Sequence, residues 1–148
     1  MKKSFVALLG SSLLMALALQ AQAADAVQRI SPSPAFPYSK AVKAGDTVYV
    51  SGQLGTDADG KLVPGFEAQA HQVMRNVGAV LKEAGLGMDD VAKCTVFIND
   101  MSNFPAFNDV YKTYFKAGKY PARSAMGVNG LALKADLEVE CIAYQPAH

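Results

Sequence analysis

Arg123 and Glu138 are the residues whose type and spacing ask for a chemical explanation. Arg123 stands in Pro121-Ala122-Arg123-Ser124-Ala125, early in a run that reads as a strand. Glu138 and Glu140 alternate with Leu137, Val139 and Cys141 in the last apolar run, which puts both carboxylates on one face of a strand. A charge on a strand is costly unless something pairs with it. A guanidinium grips a carboxylate through parallel N–H bonds, and a carboxylate beside it can orient and deprotonate a water. The pattern fits hydrolysis of a small carboxylate-bearing substrate. It also fits an ion pair between Arg123 and Glu138 or Glu140 that holds strands or subunits together, and composition alone favours that pair.

The other reactive residue types form no such pattern. His71 lies beside Gln69 and Gln72, off the apolar stripe of its segment, and reads as solvent-facing; His148 ends the chain. The Ser, Asp and His residues make no nucleophile motif, and Gly127-Val128-Asn129-Gly130 lacks the phosphate-loop pattern and its Lys. Tyr111 and Tyr114 fall at helical spacing and read as core. Two Cys and two His cannot build a disulfide scaffold or a self-contained zinc site, so no metal is expected. Cys94 shares the parity of Val96 and Ile98, and Cys141 that of Leu137 and Val139. They are two buried thiols or one disulfide, and spacing does not decide between them.

These residues need a scaffold. Ile30 to Tyr38, with three prolines in six positions, predicts an ordered but irregular entry loop. Ala41 to Lys43 and Thr47 to Ser51, around Ala44-Gly45-Asp46, predict a hairpin, and Gly52 to Pro64 a loop rich in Gly and Asp. Phe66, Ala70, Val73, Val77, Val80, Leu81 and Ala84 recur at helical spacing up to Gly85. Val91 to Ile98 is a strand, and Ser102 or Asn103 caps a second helix with Pro105 in its first turn. Ala122 to Val128 and Leu137 to Tyr144 are the closing strands. The order ββαβαββ predicts an α+β domain: a mixed sheet with two helices packed on one face. Apolar residues on both sides of its strands call for a second cover, and so for a homo-oligomer.

The chain has 148 residues, 14 Lys plus Arg against 13 Asp plus Glu, and 51% hydrophobic residues. That is one domain, too apolar for disorder and without the basic surface of a nucleic-acid binder. Residues 1–23 read as a secretory signal: Lys2 and Lys3, the apolar Phe5 to Leu19, then Ala21-Gln22-Ala23. The apolar run is too short for a membrane span. The expected mature domain is residues 24–148, exported to a bacterial periplasm and free of the membrane after cleavage.

Five segments together resemble the Rid family, of the YjgF/YER057c/UK114 type. They are Pro121-Ala122-Arg123-Ser124; Leu137-Glu138-Val139-Glu140; Pro37-Tyr38-Ser39-Lys40-Ala41-Val42; Val50-Ser51-Gly52-Gln53-Leu54; and Thr95 to Asp100 with Phe107-Asn108-Asp109-Val110-Tyr111 after it. The resemblance implies a chorismate-mutase-like fold, a homotrimer with clefts between subunits, and cofactor-free hydrolysis of 2-imino acids or their enamines to 2-keto acids and ammonia. It implies that Arg123 holds the substrate carboxylate and Glu138 positions the attacking water, with Tyr38, Asn108 and Ser51 as further substrate contacts. Phe36, Lys40 and Ala125 depart from the family pattern. They suit an alternative, a trimer that binds a small carboxylate without turning it over. Ribonuclease action is disfavoured by the missing basic surface.

Overall fold

The computed structural model describes residues 27–145. The proposed signal segment, residues 1–23, lies outside them. The order is β1 (Gln28–Pro32), β2 (Ser39–Ala44), β3 (Thr47–Leu54), α1 (Phe66–Glu83), β4 (Val91–Ile98), α2 (Phe104–Tyr111), β5 (Ala122–Gly127) and β6 (Leu137–Tyr144). The six strands form one mixed sheet in the order β1-β2-β3-β6-β4-β5, with only β4 and β5 parallel. This is the expected α+β architecture, with one strand more than the sequence pattern showed. Part of the Pro-rich loop is strand: β1 pairs with β2 from Gln28↔Lys43 to Pro32↔Ser39. Pro32 is tolerated because it ends an edge strand.

Both helices lie on the same face of the sheet. Val73, Met74, Val77 and Leu81 of α1, with Phe107 of α2, are fully buried against Val48, Val96, Ile98, Leu137 and Val139 of the strands. At one end α1 clamps the sheet through polar groups. Buried Gln69 donates from Nε2 to Asp136 Oδ2 (2.8 Å) and accepts from the Asp136 amide (3.0 Å). Asn76 Nδ2 donates to the carbonyls of Leu54 and Thr56 at 2.8 and 2.9 Å. The second helix begins where expected, with Asn103 at its N-cap and Pro105 in its first turn, but without a side-chain cap bond. A short 3-10 turn, Met101–Asn103, precedes α2, and the Asp100 carboxylate accepts from the Ser102 amide; neither Ser102 nor Asn103 caps the helix with its side chain.

Cys94 and Cys141 are joined as a disulfide between β4 and β6. They are direct partners in the antiparallel register, their Cα atoms 4.1 Å apart, on the helix-covered face. Among the described residues no helix lies over the opposite face, which exposes Tyr49, Met126 and Tyr144 by roughly half. Among the described residues, no helix is long and apolar enough to cross a membrane.

Candidate active site

Arg123 is placed by the parallel pairing of β5 on β4, where it stands opposite Cys94. Cys94 points into the core, so Arg123 points to the helix side. There its guanidinium lies over three rings of α2: Tyr111 at 4.7 Å, Phe104 at 5.4 Å and Phe107 at 5.9 Å from ring centroid to Cζ. The rings are spaced along one face of the helix, so the apolar stripe that builds the core also makes a bed for the cation. A cavity of about 390 Å³ opens beside it, lined by Asn108, Tyr111, Lys112, Tyr120, Pro121 and Arg123.

Two buried polar atoms in this cavity's wall have no hydrogen-bond partner among the described residues, Asn108 Oδ1 and the Tyr111 hydroxyl. Buried polar atoms without partners are rare, and each calls for an explanation. Burial pushes the Tyr111 hydroxyl up to about 12, against the opposing pull of the Arg123 charge, so it is a neutral donor at working pH. Tyr111 is core, as its spacing predicts, but it also lines the cavity beside Arg123. Helical periodicity reports a ring's burial and says nothing about where its polar tip ends.

The ion pair that composition favoured is not formed. The salt bridges among the described residues are Lys40–Glu83, Lys112–Asp109 and Lys116–Asp89, and Arg123 is in none of them. Geometry explains this. Leu137, Val139, Cys141 and Ala143 of β6 are buried under the helices, so Glu138 and Glu140 project from the opposite face, as alternation requires. Arg123 and Glu138 of one chain therefore lie on opposite sides of the sheet, with β4 between their strands.

Glu138 has its own neighbourhood. It pairs with Phe97 on β4 and Leu54 on β3, and its carboxylate lies over Gly52. Burial, and secondarily the charge of Glu140, pushes its carboxyl above the usual range. Ser51, next to Gly52, donates from Oγ to the Ser39 carbonyl at 2.7 Å. Tyr38, immediately before β2, is half exposed and stacks on Phe36 at 6.2 Å. The loop that carries it is held by Ser33, whose Oγ accepts from the amides of Ala35 and Phe36. The expected site residues thus fall in two half-sites. Asn108 and Arg123 sit at the β5–α2 edge with Tyr111, which the sequence reads as core; Glu138 sits on the open face beside the Ser51–Gly52 segment of β3, and Tyr38 immediately precedes β2.

The remaining candidates are accounted for. Lys40 is bonded to Glu83 of α1. Ala125 packs against the core. His71 is not simply solvent-facing: the Tyr114 hydroxyl donates to its carbonyl (2.9 Å) and lies 3.0 Å from its Nδ1. That pair ties α1 to the turn after α2. Among the described residues, no cluster of three His, Cys, Asp or Glu side chains could hold a metal ion.

Residues 21–145 match the endoribonuclease L-PSP family. The chain belongs to this family, which includes the RidA-like proteins. It is 44% identical over 117 residues to the mouse 2-iminobutanoate/2-iminopropanoate deaminase, covering 78% of this chain and 86% of that one. It is 50% identical over 112 residues to the Drosophila melanogaster RutC family protein UK114, covering 74% and 80%. The crystal structure of Escherichia coli TdcF with bound serine superposes with a TM-score of 0.73 at 34% identity, covering 80% of this chain and 96% of that one. The mixed six-stranded sheet with two helices matches the fold of these structural neighbours.

Proposed function

We propose that this protein hydrolyses reactive 2-imino acids, or their enamine tautomers, to 2-keto acids and ammonia, in clefts shared between subunits of a homotrimer. The observation that carries this reading is Arg123. It is a cation free of carboxylate partners among the described residues, bedded on three rings and facing a cavity with two unpartnered polar atoms. A substrate carboxylate would complete the guanidinium fork, and the Tyr111 hydroxyl would donate to the same group. Asn108 Oδ1 is an acceptor that an imine or iminium N–H would satisfy.

The reaction needs little more than placement. The C=N carbon is already electrophilic, so a water attacks it once oriented and relieved of a proton. Glu138 takes that proton, the carbinolamine nitrogen is protonated, and ammonia leaves as the carbonyl forms. Overall one water is consumed and one ammonia released. Because Glu138 and Arg123 of one chain point apart, the Glu138 half-site would come from a neighbouring subunit, seated on the open face of the sheet. The names of the deaminase relatives, 44–45% identical to this chain, support the substrate class. The buried Cys94–Cys141 disulfide suits an oxidising compartment, and with the Met1 to Ala23 pattern it supports export to the periplasm.

The test generates imines in situ with an amino-acid oxidase acting on several amino acids, and follows ammonia release with semicarbazide trapping. Accelerated imine loss that disappears in Arg123→Ala supports the deaminase. A folded oligomer that binds 2-ketobutyrate yet accelerates no imine supports the carboxylate-binding alternative.

A further inference from the structure

Gly52 occupies an unusual position in β3. The β3–β6 register shifts between Val50↔Cys141 and Gln53↔Val139, so Ser51 and Gly52 together oppose Glu140. This is a β-bulge, a device that bends a strand and re-aims its side chains. Gln53 donates from Nε2 to the carbonyls of both Ser51 (2.8 Å) and Gly52 (3.3 Å). Helix α1 holds the strand just beyond, through Asn76. The bulge is therefore fixed rather than slack.

A β-carbon on Gly52 would collide with the Glu138 side chain: with Oε1 outright, with Cδ at 2.8 Å and with Cγ at 3.2 Å. It would meet no backbone atom among its nearest contacts. Gly52 is not among the residues of positive φ, so its backbone does not itself demand glycine. Only the carboxylate does. We propose that Gly52 is a positioning residue for Glu138, its missing side chain being the space in which the carboxylate is held over the β3 backbone. The proposal rests on the reading of Glu138 as the group that orients water.

The consequence is specific. An added methyl at position 52 must displace the end of the Glu138 side chain, which can swing away at little cost to the fold. The carboxylate then leaves its partly buried place and moves toward solvent. Glu140, on the same strand, is the titratable group that faces it. Across from the two carboxylates, β3 presents Ser51, Gly52 and Leu54, and β4 presents Thr95 and Phe97, none of which titrates. Relief from burial therefore lowers the Glu138 carboxyl toward the ordinary range.

The experiment compares Gly52→Ala and Glu138→Gln with the wild type, measuring kcat, KM, the pH profile of kcat/KM and thermal stability. For Gly52→Ala the expected result is a fall in kcat of about 10–100-fold, as for a misplaced catalytic group. KM should change less than about threefold, and the acid limb of kcat/KM should move to lower pH. The melting temperature should stay within a few degrees of the wild type's. If Glu138→Gln abolishes turnover while Gly52→Ala keeps the wild-type rate and acid limb, Gly52 does not position the carboxylate. A Gly52→Ala chain that unfolds or dissociates would also overturn the proposal, making Gly52 a residue of the fold. Wild-type turnover in Glu138→Gln would instead remove the water-orienting role on which the proposal rests.

Discussion

At the residue scale, each half-site puts a polar group where solvation is poor. Tyr111 carries a buried hydroxyl with no partner. Removing an unsatisfied buried group relieves its desolvation, so Tyr111→Phe should leave stability unchanged or raise it by about 1 kcal/mol. The same change should weaken 2-ketobutyrate binding about 5–30-fold, the loss of one charge-assisted hydrogen bond. Denaturant midpoints and isothermal titration check the two signs independently. Glu138 gives the pH dependence. Its folded-state pKa is raised, so its ionised form is the less favourable one in the fold. The stability it contributes is complete below the ordinary carboxyl value and is lost as pH rises through the raised one. Glu138→Gln should therefore flatten the stability–pH curve across that window. The wild-type acid limb of kcat/KM should lie above the usual Glu range, since the base must be ionised.

At the element scale, two glycines three residues apart separate fold from function. A β-carbon on Gly55 would meet the backbone of Gln69 at 2.7–2.8 Å, which only a shift of α1 against β3 could relieve. Gly55→Ala should cost roughly 1–3 kcal/mol, as overpacking does, read as a lower denaturant midpoint. Gly52→Ala should cost little stability and much activity. The disulfide is the other element-scale device. It closes a separation of 47 residues between adjacent central strands. Its removal in Cys94→Ala/Cys141→Ala should lower stability by roughly 2–4 kcal/mol, measured by denaturation of both forms without reductant. Cys94 also stands opposite Arg123 in the β4–β5 register, so the loss should loosen the strand that presents the guanidinium.

At the scale of the whole molecule, a site divided between opposite faces of one sheet makes a prediction no single-chain site shares. Arg123→Ala and Glu138→Gln subunits, each inactive alone, should regain activity when assembled together. In the proposed cyclic trimer, with the two variants mixed equally and at random, a cleft is intact when an unaltered Arg123 meets an unaltered neighbouring Glu138. That holds for about a quarter of clefts. The mixture should recover that share of wild-type turnover, and a mixture that stays inactive would place the whole site within one chain. The half-exposed Tyr49, Met126 and Tyr144 of the open face are the surface such an assembly would use.

Periodicity and side-chain type were enough to establish α1, β4, β6, the hairpin and the facing of Glu138 with Glu140. These are local consequences of period 3.6 and period 2, written residue by residue. Arg123 stood out as a charge on a strand, but composition alone favoured an ion pair for it, and that pair is not formed among the described residues. Strand β1 was not legible, since prolines obscure an edge strand that exists only through its pairing with β2. Four further features waited on the tertiary structure. These are the Cys94–Cys141 bond, the orphaned Tyr111 hydroxyl, the fit of the Glu138 carboxylate over Gly52, and the separation of Arg123 from Glu138 by the thickness of the sheet. Each depends on strand order or cross-strand register. A chain's own pattern cannot contain these, because they are set by which strands the packing of two helices brings side by side.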